Sequence, residues 1–211
     1  IIAHVSNLHT AIEQADIVLF NRNIPKEAVP YLGTKPIYYW SHDAYDQENV
    51  KWMMNKDVWE GNKILDGIFC VSEWQKKTFS NYMNVNSDCI EILPNPIYSN
   101  FYQGHARREL NKLVFCSIPY KGIEVLSELF NSICIKTKRD DLSLHVFSSM
   151  NLYGDNKADE QFIEHFHKLQ NTKNVVLHNA VSMKELAYEL STANILIHPC
   201  TYHETFGRVF I

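Results

Sequence analysis

Short apolar runs alternate with amphipathic stretches along the whole chain, and this alternation predicts an α/β protein built on parallel strands. In the first half the apolar runs predict strands at 17–20, 36–40, 67–71 and 90–93. In the second half they predict strands at 112–117, 142–147, 175–177 and 195–198, with helices at 123–134, 157–169 and 183–191. Ser72 with Gln75, and Ser182 with Glu185, fit the capping box that begins a helix, so we assign both serines to capping.

The segment Pro94-Asn95-Pro96 separates the two halves of this pattern. Its two prolines disfavour both a helix and a central strand, and a polar stretch containing Gly104 follows them. We therefore predict a first domain at 1–97 and a second at 98–211, each built on a Rossmann-like parallel sheet.

The composition narrows the class of protein. Of the 211 residues, 45% are hydrophobic, which suits a globular core, and the formal charge of −4 with scattered Lys and Arg argues against a nucleic-acid partner. The five cysteines are odd in number and widely spaced, which is typical of reduced thiols. Since no apolar run reaches the length of a membrane span and no signal-like segment opens the chain, we expect a cytoplasmic protein.

Parallel sheets bind ligands beyond the carboxyl ends of their strands, so the residues that follow each apolar run are the candidates for a site. Four such segments carry polar groups: 41–43, 118–122, 148–149 and 198–207. Lys121 and Gly122 precede a helix, where an ammonium group and free backbone N–H groups can hold a phosphate. A turn glycine beside a solvated lysine is the simpler alternative. Gly207 and Arg208 repeat the arrangement, and two such sites at adjacent strand ends suit a diphosphate.

Glu204 and His42 are the candidates for polar contacts to a ligand. Glu204 can accept hydrogen bonds from ligand hydroxyl groups, or it is an acid favoured at the start of a helix. His42 can serve as an acid–base group near neutral pH, or it is structural.

A metal site is a further possibility to test in a chain with ten histidines. His198, Cys200 and His203 cluster, but their spacing matches no zinc pattern, and the aspartates form no Asp-Xaa-Asp arrangement. We therefore expect neither a metal nor a cofactor.

Taken in order, five segments resemble glycosyltransferase family 4, whose members have the two-domain GT-B fold. They are His42-Asp43, Val71-Ser72-Glu73-Trp74, Pro94-Asn95-Pro96, Tyr120-Lys121-Gly122 and Glu204-Thr205-Phe206-Gly207. The most specific part of the resemblance lies at 174–211. It implies a retaining, metal-independent enzyme that moves a sugar from a nucleoside-diphosphate sugar to a hydroxyl group of a glycan, lipid or protein acceptor.

The resemblance also implies roles for single residues. His42 and Glu204 would act at the reacting sugar, His42 from the first, acceptor-side domain and Glu204 by orienting the sugar. The second domain would bind the donor and its phosphates through six residues: Lys121, Gly122, Thr205, Phe206, Gly207 and Arg208. Closure of the two domains would exclude water and limit hydrolysis of the donor.

The chain departs from the family pattern in three places. The loop Ser117-Ile118-Pro119-Tyr120-Lys121 lacks the arginine that the family places before Lys-Gly, and the glycine-rich loop after the family's first strand is absent. The family's second donor glutamate would stand at position 212, while the chain stops inside an apolar run. We therefore expect a fragment with both domains incomplete, which binds its donor poorly, and the sequence leaves open whether it is active by itself. Membrane contact through regions outside the chain stays open.

Two other functions are compatible with the same residues. One is a non-catalytic module that binds a nucleotide sugar. The other is a sugar epimerase or phosphorylase of the same fold.

Overall fold

The structure is a computed structural model and describes residues 8–60, 64–102, 106–151, 154, 156–178 and 180–210. The chain folds into two compact units. The first comprises Ile1–Pro96 together with Glu204–Arg208, and the second comprises Ile97–His203 together with Val209–Ile211. The short segment Glu204–Arg208 thus packs with the first unit, although the domain boundary drawn from the sequence places it in the second.

The first unit contains a four-stranded sheet in the order β1-β2-β3-β4, and all neighbouring strands are parallel. The strands are β1 (Val18–Asn21), β2 (Ile37–Ser41), β3 (Gly67–Cys70) and β4 (Ile90–Ile92), and the helices are α1 (Leu8–Gln14) and α2 (Glu73–Met83). The core is formed by side chains such as Tyr39, Ile68 and Phe79, which are inaccessible or nearly so. Short 3₁₀ turns connect β1 to β2 and β2 to β3.

The second unit contains a four-stranded parallel sheet in the order β7-β6-β5-β8. Its strands are β5 (Lys112–Cys116), β6 (Ser143–Phe147), β7 (Val175–His178) and β8 (Ile195–Leu196), and its helices are α3 (Ile123–Thr137), α4 (Ile163–Gln170) and α5 (Met183–Thr192). The chain leaves β5 for β6 and β7, then returns to place β8 on the other side of β5. The carboxyl ends of β5 and β8 therefore form the switch point at which sheets of this kind bind ligands.

The predicted α/β architecture with two Rossmann-like parallel sheets is confirmed, and each apolar run forms a strand. The single helix expected at 157–169 is instead a 3₁₀ segment, Asn156–Phe162, followed by α4. The last strand ends at Leu196 rather than at residue 198, although the Ile197 amide still donates to the Val114 carbonyl at 2.8 Å. In the part of the chain that the structure describes, no helix has the length and apolarity needed to cross a bilayer.

Candidate functional site

The loops that follow β5 and β8 pack directly against each other in the second unit. After β5, Pro119–Lys121 forms a 3₁₀ turn, and Gly122 is the N-cap of α3 with a left-handed φ of 106°. A Cβ atom built on Gly122 would lie 2.8 Å from the carbonyl oxygen of Pro199, in the loop after β8. Only glycine fits here, because both the backbone conformation and the contact with backbone exclude a side chain. The packing explains Gly122 without a ligand, and Lys121 immediately precedes it at the start of α3.

The loop after β6 is held by a carboxylate from the following segment. Asp159 accepts hydrogen bonds from the Ser149 hydroxyl at 2.7 Å and from the Met150 amide at 2.8 Å. The neighbouring Ser148 Oγ is buried, and no hydrogen bond to it is present among the described residues. A buried hydroxyl without a partner at the carboxyl end of a strand is a position that a ligand can satisfy.

In the first unit, His42 follows β2 within a set of charged and amide side chains. Asp43, which is largely buried, receives a hydrogen bond from Asn49 Nδ2 at 2.7 Å and lies 3.4 Å from Nη1 of Arg22. Arg22 follows β1 and has a left-handed φ of 65°, and its carbonyl accepts a hydrogen bond from the buried Tyr39 hydroxyl at 2.5 Å. The ends of β1 and β2 thus place a guanidinium, a carboxylate and an imidazole together.

The surroundings of His42 favour its neutral form. Burial lowers the pKa of His42, and the positive charges of Arg22 and Arg208 lower it further, whereas Asp43 and a hydrogen bond with Asn95 raise it. Its Nε2 is buried and makes no hydrogen bond within the described ranges. The imidazole is therefore neutral near pH 7 and retains an unused polar atom for a ligand.

The segment Glu204–Arg208 is attached to the first unit by side-chain hydrogen bonds. The Thr205 hydroxyl donates to the His42 carbonyl at 2.7 Å, and the Ser72 hydroxyl donates to the Thr205 carbonyl at 2.5 Å. Ser72 is also the N-cap of α2, as predicted, because its Oγ accepts from the Gln75 amide. Thr205 is 8% exposed, so its hydroxyl holds the segment in place rather than pointing to solvent.

The remaining predicted donor residues lie close to Thr205 in the chain. Gly207 is buried with a left-handed φ of 61°, Glu204 and Phe206 are half-buried, and Arg208 is exposed and begins a 3₁₀ turn that runs to Phe210. The structure therefore brings Thr205 and Arg208 close to His42 within the first unit. It places Lys121 and Gly122 in the second unit.

Sequence reasoning missed Arg22 and the contacts by which Gln75 joins separate segments. Arg22 follows the first predicted strand, so the same rule that selected His42 would have selected it. Gln75 is fully buried and joins three chain segments: its Oε1 accepts from the Val71 amide at 2.7 Å, and its Nε2 donates to Ser41 Oγ at 3.2 Å and to the Asp43 carbonyl at 2.8 Å. The capping-box pattern identified Gln75, but it predicted a bond to the amide of Ser72 rather than to that of Val71.

The sequence was also compared with known protein families and with curated protein sequences. Residues 114–211 match the family described as "Glycosyl transferases group 1". No curated protein sequence matches the chain significantly. The family match covers the loop of Lys121 and Gly122 and the segment Glu204–Arg208.

Solved structures share the fold at low sequence identity. HepE of Anabaena in complex with UDP superposes with a TM-score of 0.65 at 15% identity, covering 97% of this chain and 58% of that one. A glycosyltransferase from Rickettsia africae gives a TM-score of 0.62 at 17% identity, covering 97% and 57%. HepE in complex with UDP-glucose gives 0.64 at 15% identity, covering 96% and 58%. The chain spans about 58% of the length of these structures and shares their fold over that span.

Proposed function

We propose that the protein is a retaining, metal-independent glycosyltransferase that moves a sugar from a nucleoside-diphosphate sugar to an acceptor hydroxyl. The observation that carries the proposal is the family match over residues 114–211, which spans the switch-point loops and the predicted donor residues. In the reaction the bond from the sugar's anomeric carbon to the diphosphate breaks, and a bond to the acceptor oxygen forms. The acceptor loses a proton, and the diphosphate departs as an anion.

Stabilisation of the departing diphosphate is the first requirement of this chemistry. Lys121 supplies an ammonium group at the first turn of α3, where backbone N–H groups are also available to an anion. The unpartnered Ser148 hydroxyl follows β6, the strand paired with β5. These groups support a phosphate-binding role for the carboxyl ends of β5 and β6.

Orientation of the sugar is the second requirement. In the proposal Glu204 accepts hydrogen bonds from sugar hydroxyl groups, and the free Nε2 of neutral His42 contacts the reacting sugar. Arg208 adds positive charge near His42, since its charge is one of those that lower the pKa of that imidazole. Thr205, Phe206 and Gly207 then act through the backbone that carries Glu204 and Arg208.

Uridine nucleotides are the first donors to test. HepE, which shares the fold, has been solved in complex with UDP and with UDP-glucose. The first experiment is a binding survey by saturation-transfer NMR with UDP-glucose, other nucleotide sugars and free UDP. Failure of every nucleotide sugar to bind the complete protein would overturn the proposal.

Catalysis is tested in the complete protein, by measuring donor hydrolysis and transfer with its Lys121→Ala and Glu204→Ala variants. Lys136→Ala and Glu164→Ala are matched controls, since both side chains are exposed on helices. We expect the two site variants to lose turnover and the controls to keep it, in the presence of EDTA as in its absence. Donor binding without turnover would favour the binding module, and epimerisation without an acceptor would favour the epimerase.

We further propose that the protein works in a reducing compartment such as the cytoplasm. The five cysteines are free, and burial raises the pKa of the Cys70 thiol to about 12. Mass spectrometry after alkylation of the protein purified from cells checks this, because a disulfide in that sample would contradict it.

A further inference from the structure

The two faces of the second sheet differ in character. One face carries an apolar core with Leu113, Phe115, Leu144 and Val146. Because side chains alternate along a strand, His145 of β6 lies on the other face. There it meets His178 of β7 and a carboxylate of α5, in a cluster that the proposed transferase reaction does not use.

Three ligand atoms converge in this cluster. His145 Nδ1 lies 3.0 Å from His178 Nε2 and 4.0 Å from Glu189 Oε2. The potential ligand atoms of all three side chains fall within 4.8 Å of one another. The side chains of His145 and Glu189 are about one-fifth exposed, so an ion from solvent can reach them. By contrast, His198, Cys200 and His203 do not form such a group among the residues that the structure describes.

These separations are close to those of a zinc site. Zinc–nitrogen bonds of about 2.0–2.1 Å at tetrahedral angles place two nitrogen ligands about 3.3 Å apart. The two imidazole nitrogens need to separate by only a few tenths of an ångström to reach that distance, and the carboxylate oxygen at 4.0 Å needs to move closer by less than about 1 Å. Phe147 stacks on His178 with ring centroids 4.1 Å apart and fixes that ring.

Lys112 is the one cation of this cluster among the described residues. Its ammonium group, which is 4% exposed, donates to Glu189 Oε2 at 2.6 Å and to Thr192 Oγ1 at 2.6 Å. A ligating carboxylate is commonly held by a hydrogen bond from a neighbouring group, so Lys112 can keep the Glu189 carboxylate in place beside an ion. Its charge opposes a divalent cation, and the affinity should therefore be modest.

We propose that His145, His178 and Glu189 form a binding site for a zinc-like divalent cation, with Lys112 holding the carboxylate and a water completing the coordination. Imidazole with a single carboxylate favours zinc and its neighbours over magnesium or calcium. The ligands come from β6, β7 and α5, so the ion would fasten the helix to the sheet. The role is structural and does not depend on the proposed transferase activity.

The experiment measures thermal unfolding of the 211-residue chain with and without Zn²⁺, and the visible absorption of the Co²⁺-loaded protein. We expect Zn²⁺ to raise Tm, because a ligand that binds only the folded state stabilises it. His145→Gln and Glu189→Gln should weaken binding roughly tenfold or more and remove the Co²⁺ bands. His167→Gln, an exposed histidine of α4, is the control and should behave as the wild type does.

A wild-type protein that shows neither the Tm shift nor the Co²⁺ bands would overturn the proposal. So would a shift that persists unchanged in both variants. If the variants fail to fold, X-ray absorption of the zinc-loaded wild type decides the question. Two imidazoles with oxygen ligands support the site, whereas a sulfur ligand places the ion elsewhere and overturns it.

Discussion

The carboxyl ends of the two sheets are held in place by different means. In the first unit, Gln75 and Thr205 connect separate segments through side-chain hydrogen bonds. In the second unit, the loops after β5 and β8 meet through the close approach of Gly122 to Pro199. A hydrogen-bonded arrangement loses stability in steps as partners are removed, whereas a close contact with backbone tolerates no added atom. Substitutions in the two units should therefore differ in how much stability they remove.

The largest effect is expected for Gly122→Ala. The new Cβ meets the Pro199 backbone at 2.8 Å, and the alanine must also adopt a φ of 106°. We therefore expect the free energy of unfolding to fall by about 3 kcal/mol or more. Gly33→Ala is the matched control, because Gly33 has a φ of 59° and nothing within 4 Å of its Cβ position. It should cost only about 1–2 kcal/mol. Urea unfolding of both variants makes the comparison, and equal losses would contradict the steric explanation.

The second effect is expected for Gln75→Leu in the first unit. The substitution keeps the bulk but leaves the Val71 amide and the Asp43 carbonyl without this partner in a buried place, at a cost of about 2–3 kcal/mol. Gln14→Leu, at the exposed end of α1, should change the free energy of unfolding by less than about 0.5 kcal/mol. Urea unfolding followed by tryptophan fluorescence measures both. A Gln75 variant as stable as the control would show that the network adds nothing.

The contrast between the units also explains what the sequence could predict. The strands follow from apolar runs, and the two serine caps follow from a serine and a glutamine or glutamate three residues apart. Both patterns are local in the sequence. The close approach of Gly122 to Pro199 joins residues far apart in the chain, so the sequence suggested a phosphate loop and not its steric reason. The attachment of Thr205 to His42 is likewise long-range, and the family pattern assigned Thr205 to the donor.

The contacts between charged and metal-ligating side chains could not be predicted either, because their members lie on different elements of the chain. Arg22 follows a predicted strand and could have been selected as a candidate for that reason. Its partner Asp43 lies in the loop after the next strand, and only the register of the two parallel strands shows that the two side chains meet. His145, His178 and Glu189 are separated by intervening elements and fit no short metal motif. Only the sheet order and the position of α5 bring them together.

The third effect compares the two serine caps. Ser182→Ala removes one hydrogen bond to the Glu185 amide, which typically costs about 1 kcal/mol. Ser72→Ala removes the equivalent bond to the Gln75 amide and also the donor to the Thr205 carbonyl, so we expect about 2 kcal/mol. Hydrogen exchange of the Glu204–Arg208 amides should increase in the Ser72 variant only. Equal changes in both variants would mean that Ser72 acts only as a cap.

The smallest effect concerns the titration of His42. Its folded-state pKa lies below the usual 6.5, so the unfolded chain binds the proton more readily and stability falls as pH drops below about 6.5. Arg22→Gln removes a charge that lowers this pKa and should raise it, whereas Asp43→Asn removes a charge that raises it and should lower it. NMR titration of the His42 ring protons measures both directions without any substrate. Since Arg22 is more than half exposed, solvent screens its charge, and the shift should shrink further at high salt. If neither substitution moves the titration, burial rather than the neighbouring charges keeps His42 neutral.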